Sequence, residues 1–502
     1  MLIAHDLGTS ALKSTLHDAD GVECAAAETS YRTDYGAGGR CEQDPEHWWA
    51  ALVANTHTLL ASSGVDARRI EGLCIAGHMM GLVLLDADLR PTRPAMIWSD
   101  QRARREADAL GDALGLKYLY QLTGHRIGPT YTIAKLMWVM AHEPDAYARA
   151  RHVCVAKDYL NTRLTGRVVT DHTDASSTGA YNLSERTWSP EILRAAGVEP
   201  ALFPPIVQST DVVGTLCPQA ARELGLPATT RVVAGGGDGP IATIGAGCTR
   251  PADPLYASLG TSAWFAGTTR TPHLDPEHRS FTFTHVDASL YCPCATSQNG
   301  AGTLDWLATV LAPGKDDAVG ALIDEACALA DPDPELLVLP YLLGERSPWW
   351  SPHARGAVVG LTRRHGRAHL MRATLEGIGY TLAACLDAVA GERNVATEGV
   401  DVIGGGSRSA AWLQLLSTMW GVPVRRRSTV TTATSLGAAV TGLTGLGRLD
   451  LAAARHLSSV DRTFEPGPEA ARYASYRQIF NQTFAAVEPL DRASAHREAA
   501  SL

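Results

Sequence analysis

Short apolar runs closed by glycine-rich turns alternate along this chain with longer segments of helical spacing. Residues 2–16 (LIAHDLGTSALKSTL) predict a strand, a tight turn and a second strand. Asp44 ahead of Pro45 predicts a helix start, with the helix running towards Ser62. Residues 70–86 (IEGLCIAGHMMGLVLLD) predict a buried strand, a glycine-bounded turn and another strand. From Tyr131 to Met140 the spacing is helical, with Lys135 and Trp138 on one face. VVTDHTDASSTGAYNL then predicts a polar turn holding Asp171, Asp174, Ser176 and Ser177. Val232, Val233 and Ala234 lead into three glycines and Asp238, and Pro240 suits a first helical turn. The second half keeps the alternation. Residues 368–390 read as a helix, residues 400–424 as strand, glycine turn, helix and strand, and residues 468–487 as an amphipathic helix. Alternating strands and helices throughout predict an α/β fold.

One pentapeptide occurs twice. Leu7-Gly8-Thr9-Ser10-Ala11 follows the first strand, and Leu259-Gly260-Thr261-Ser262-Ala263 follows another, 252 residues further on. The repeat predicts two halves built on one plan, divided as residues 1–246 and 247–502 with a cleft between them. A strand turning through Gly-Thr-Ser directs backbone N–H groups and hydroxyls at one spot. That is a concavity suited to phosphate. Two of them facing each other would grip a polyphosphate.

Bulk properties narrow the picture. A chain of 502 residues exceeds one core and suits two domains. The net charge of −9 and the lack of a basic, aromatic-interleaved patch exclude a nucleic-acid partner. Arg425-Arg426-Arg427 reads as a solvated strand edge. The ten cysteines have no zinc-type spacing and are expected as reduced thiols. No apolar run is long enough to span a membrane, and the chain reaches Asp6 without a leader, so a cytoplasmic protein is expected.

These segments, in this order, resemble the FGGY family of carbohydrate kinases. DLGTSALK is similar to the family's first phosphate hairpin, GGGD and SLGTS to its second phosphate region, and residues 356–376 to its second signature. EQDPEHWW, KDYLNTRLTG and LPYLLGERSP are most similar to xylulokinases and close sugar-kinase relatives. The resemblance implies a two-domain actin/hexokinase/heat-shock ATPase-like fold, with duplicated ribonuclease H-like domains. It implies transfer of phosphate from ATP, with Mg²⁺, to a terminal hydroxyl of a small sugar, a pentulose such as xylulose. Another polyol or an aldonate is the alternative acceptor, and an ATP-driven switch of the same fold is the alternative class. Asp238 is the expected catalytic base, accepting the hydroxyl proton. Asp6 is expected at the metal, holding the water shell of Mg²⁺. Gly8, Thr9, Ser10, Gly260 and Thr261 are expected as phosphate ligands, and Lys13 as added positive charge or a structural partner of Asp6. Gly405, Gly406 and Ser407 are expected to pack against the adenosine. The residues around Leu436 read as a packing helix. Homodimers are common in the family.

The expected sugar pocket departs from xylulokinases. His78-Met79-Met80-Gly81 stands where they show Gln-Met-His-Gly, so Met80 takes the place of a sugar-contacting histidine. Gly239 takes the place of an asparagine that often follows the catalytic carboxylate. Loss of two hydrogen-bonding groups leaves the acceptor open. His78 reads either as a substitute contact or as structural. Met79 and Trp98 read as pocket wall or core, and Asp100 as a sugar contact or a helix cap.

Overall fold

In the computed structural model, residues 1–315, 318–330, 332–391, 393 and 395–500 are described, with side chains described as far as residue 494. The first half holds strands β1 (Leu2–Leu7), β2 (Ala11–His17), β3 (Glu23–Ser30), β4 (Gly72–Gly77), β5 (Val212–Thr215) and β6 (Arg231–Gly237), in the order β5-β6-β4-β1-β2-β3. The second half holds β7 (Leu255–Leu259), β8 (Ala263–Ala266), β9 (Phe281–Thr284), β10 (Tyr291–Ser297), β11 (Val400–Ile403), β12 (Val424–Arg427) and β13 (Val460–Phe464). Their order is β9-β10-β8-β7-β11-β12-β13.

The two sheets repeat one plan. β1 and β2 form an antiparallel hairpin, and β1, β4 and β6 run parallel. β7 and β8 form the second hairpin, and β7, β11 and β12 run parallel. Each parallel set ends in an antiparallel strand, β5 on β6 and β13 on β12. The two LGTSA segments are the turns of the two hairpins, the same position in both halves.

Helices cover the sheets. In α1 (Pro45–Ser63) the Asp44 carboxylate accepts from the Glu46 amide, Pro45 fills the first turn, and Gly64 at φ 65° ends it. Its Trp48, Leu52 and Leu59 join the first core. α2 (Ala156–Thr165) follows. The expected polar turn after it is instead a short helix, α3 (His172–Ser177). Asp171 caps it through the amides of Thr173 and Asp174, and the hydroxyls of Ser176 and Ser177 bond carbonyls three residues back. α4 (Asp238–Gly245) closes the first half. In the second half, α5 (Arg367–Ala390) and α6 (Ala410–Trp420) bury their apolar faces in a separate core, which Tyr473, Phe480 and Phe484 of the C-terminal α8 (Ala470–Ala500) complete.

α7 (Ala433–Gly445) joins the halves. Its Leu436, Val440 and Leu443 cluster with Leu2, Cys74 and Val233 of the first sheet and with Ile241 and Ile244 of α4. Helix α7 comes from the second half yet lies on the first. The arginine trio also differs from expectation. β12 is an inner strand, where Arg425 and Arg427 pair with Asp401 at 2.7 and 3.0 Å and Arg426 with Asp461 at 3.0 Å. The cost of burying Arg427 and Asp401 is offset by their pairing, while Arg425 and Arg426 stay partly exposed. All ten cysteines are free. Among the described residues no helix is long and apolar enough to cross a membrane.

Candidate active site

Asp238 owes its position to a break in β6. The strand leaves its ladder with β4 between Val233 and Gly236. There the Ala234 and Gly235 amides donate to the carbonyls of Asp211 and Ser209, both at 2.9 Å. Gly235 sits at φ 68°, and a Cβ on it would lie 2.0 Å from the Ile75 carbonyl oxygen. Only glycine allows that crossing. The re-aimed strand delivers Asp238 as the first residue of α4.

Asp238 and Asp6 line one cavity of about 330 Å³ between the halves. Burial first, and then the Asp6 charge, push the Asp238 carboxyl up to about 7, against a hydrogen bond from the Gly239 amide at 2.8 Å. Burial pushes Asp6 up to about 6, opposed by Lys13, which faces it across the hairpin. Among the described residues neither carboxylate makes an ion pair, so two partly uncompensated acids share the space.

The remaining wall is mainly aromatic and thioether. Met79, Met80, Trp98 and Gly239 line it from the first half, and Trp264, Phe281 and Arg346 from the second. Met80 holds φ 64°, an αL backbone uncommon for a residue with a side chain. The Trp98 indole N–H donates to Thr9 Oγ1 at 2.9 Å, tying the wall to the first LGTSA turn.

A second cavity, of about 910 Å³, lies in the second half and is lined by Gly260, Thr261, Gly405 and Gly406. Both LGTSA turns are expected to face one polyphosphate, but of the second turn only Ser262 lines the carboxylate cavity. Gly260 and Thr261 line the other cavity. The β7–β8 turn is therefore the partition between the two spaces.

Other expected site residues fall differently. Asp100 lies outside the cavity, fully buried. Its carboxylate accepts from the Cys41 amide at 2.9 Å and pairs with Arg102 at 2.7 Å, and the helix after it begins only at Arg104, so it is neither sugar contact nor cap. His78 is buried behind the wall, edge-on to Trp48 at 5.3 Å, and burial holds it near 4, an uncharged ring. Ser407 is buried with its hydroxyl donating to the Gly404 carbonyl at 2.7 Å, turned from the cavity. Gly8, Thr9 and Ser10 form the first hairpin turn. The Gly8 amide donates to Asp6 and Ala11 carbonyls at 3.1 Å, and Ser10 is exposed.

Sequence reasoning passed over Arg346. It stands in the LGERSP loop, and its guanidinium lies 5.5 Å from the Phe281 ring. The neighbouring Glu345 is buried and pushed up to about 7 by that burial. It accepts from Ser297 Oγ and the Gln298 and Arg346 amides, each at 2.7 Å, which pins the loop to β10. A Gly-Glu-Arg run after a strand was the available signal.

A duplicated α/β fold with two half-buried acids between its halves and a glycine-walled cavity beside them is that of an actin/hexokinase-like phosphotransferase. The model of the FGGY family of carbohydrate kinases, N-terminal domain, matches residues 1–245, and the C-terminal domain model matches residues 255–446. The xylulose kinase of Klebsiella pneumoniae is 33% identical over 98% of this chain and 100% of its own. Crystal structures of a ligand-bound xylulose kinase and of a gluconate kinase, both from Lactobacillus acidophilus, superpose with TM-score 0.90 at 27% identity. Each covers 97% of this chain and 98% of its own. The chain belongs to the FGGY family of carbohydrate kinases, and its activity is that of an ATP-dependent sugar kinase.

Proposed function

We propose that this kinase transfers the γ-phosphoryl group of ATP to a terminal hydroxyl of a pentulose such as xylulose. The pairing of Asp238 with Asp6 in one cavity between the halves carries this reading. Asp238, poised near neutrality, accepts the hydroxyl proton as the oxygen attacks. Thr9, Ser10, Gly260 and Thr261 bind phosphate oxygens from the two hairpin turns, and Lys13 adds positive charge beside Asp6. Gly405 and Gly406 leave room for the nucleoside. The similarity to the Klebsiella pneumoniae xylulose kinase supports the choice of sugar.

Asp6 suits Mg²⁺. Among the described residues no three acidic, His or Cys side chains form an enclosing metal cluster. Mg²⁺ typically takes one or two carboxylates and completes its shell with waters and substrate phosphates. The ion supplies neutralisation of the phosphate charge when bound. The domains are read as residues 1–246 and 247–502, in a cytoplasmic enzyme consistent with its free thiols. A second acceptor, an aldonate, is favoured by Arg346 at the cavity wall and by the likeness to the gluconate kinase structure. An ATP-consumption assay over ketoses, polyols and aldonates tests both. Turnover with xylulose supports the first reading, turnover with gluconate alone the second, and none with any acceptor contradicts both.

The pH profile gives a sharper check. kcat/KM for the sugar is expected to fall on the acid side with an apparent pKa near 7, the value of Asp238 in the free enzyme. Asp6→Asn removes the charge that helps raise it, so the limb of the residual activity is expected to move to lower pH. A limb that stays in place would contradict the coupling. At the nucleotide side, a Cβ on Gly405 would meet nothing within 4 Å. Gly405→Leu is therefore expected to fold normally while raising KM for ATP by about tenfold or more, measured by steady-state kinetics beside thermal melts.

A further inference from the structure

Helix α3 takes no part in the chemistry above, yet it bonds the backbone of Met80, which lines the catalytic cavity, and of Gly237 and Thr284, each next in sequence to a lining residue. The Thr173 hydroxyl accepts from the Gly237 amide at 2.8 Å, the last amide before Asp238. It donates in turn to Asp171 Oδ2 at 2.6 Å. That carboxylate is fully buried and is fixed by the Ser209 hydroxyl at 2.6 Å and by Lys157 Nζ at 3.2 Å. From the same helix, Ser177 Oγ accepts from the Met80 amide at 3.3 Å and Ser176 Oγ from the Thr284 amide at 3.1 Å.

The bond to Gly237 matters because of where β6 stands at that point. Past the crossing at Gly235 the strand pairs with β4 again in a shifted register, Gly236 opposite Ala76 and Gly237 opposite Gly77, and the Gly237 amide goes to a side chain, the Thr173 hydroxyl. Thr173 Oγ1 would lie 2.7 Å from a Cβ at Gly236, so the hydroxyl closes on the backbone as well as bonding it. With its proton committed to Asp171, the hydroxyl is held in the accepting orientation.

We infer that Thr173 is a positioning residue for phosphoryl transfer, fixing through the Gly237 amide the backbone from which Asp238 meets the acceptor hydroxyl. The inference rests on Asp238 being the base. Loss of this tether acts on orientation in the transition state, where small misplacements cost rate while ground-state binding persists.

The test compares Thr173→Val, Thr173→Ala and Thr173→Ser with Ser209→Ala, which strips a donor from the same Asp171 oxygen without touching Gly237 through its side chain. Asp238→Asn is measured alongside with xylulose and ATP, and melts confirm folding. The expected result is a kcat lowered about 10- to 100-fold in Val and Ala, with both KM values within about threefold. Thr173→Ser, which restores the hydroxyl, and Ser209→Ala are expected within about threefold of the parent kcat. Parent-like kcat in Val and Ala, or an equal loss in Ser209→Ala, overturns the inference. Full activity in Asp238→Asn overturns instead the assignment of the base.

Discussion

Asp238→Asn is expected to lower kcat by about 10²–10⁴-fold, with far smaller changes in KM for ATP and sugar. The amide keeps the shape of the side chain and its hydrogen bond from Gly239 but accepts no proton from the attacking hydroxyl. Stability is expected to move the other way. The unfolded carboxyl titrates near 3.8 and the folded one near 7, so the folded chain holds the extra proton between those values. The stability this group contributes is therefore full below about 4, falls as pH rises through the window and is least above 7. Asn removes a penalty of at most about 4 kcal/mol there. Melting of the ligand-free variant is expected above the parent's at about pH 8 and close to it at about pH 4. A variant less stable than the parent at the higher pH would contradict the electrostatic reading of the site.

The second large effect is structural. Gly437→Ala is expected to destabilise the chain by about 3 kcal/mol or more. α7 and α4 meet backbone to backbone, and a Cβ at Gly437 would lie 2.0 Å from the Ile241 carbonyl oxygen. Neither helix can withdraw freely. α7 is wedged on the first sheet, where a Cβ at Gly442 would already meet Leu2 at 2.5 Å, and α4 carries Asp238. The overlap thus falls on the contact that joins the halves and on the residue proposed as base. Chemical unfolding measures the loss. Gly320→Ala, with nothing within 4 Å, is the comparison and is expected within about 1 kcal/mol of the parent. Equal stability of the two variants would contradict the close packing.

Much of this arrangement was legible in the residues alone. The repeated LGTSA segment marked both hairpin turns because an identical string after an apolar run needs no tertiary information. The Gly235–Gly237 run signalled backbone that needs glycine, but where a turn was expected the glycines stay inside β6 as a register shift that leads straight into α4. What stayed hidden depended on contacts distant in sequence. Asp100 reads as polar and available, yet Cys41 and Arg102 consume its carboxylate. α3 reads as a turn because Asp, Ser and Thr favour turns, and it becomes helical where burial and its own side-chain bonds satisfy the backbone. The separation of Thr261 from Ser262 into two cavities depends on which distant segments pack around the turn, and composition does not encode that. Arg346 carried a signal, but its place in the cavity needed the loop to fold back onto β10.

The most direct measurement is a crystal structure of the Asp238→Asn enzyme with xylulose and a non-hydrolysable ATP analogue. The terminal hydroxyl of the sugar is expected within about 2.6–3.2 Å of the side chain at position 238, with the γ-phosphate beside the two hairpin turns. A sugar bound away from position 238, or a nucleotide outside the cavity walled by Gly260, Thr261, Gly405 and Gly406, would contradict the proposed catalytic arrangement.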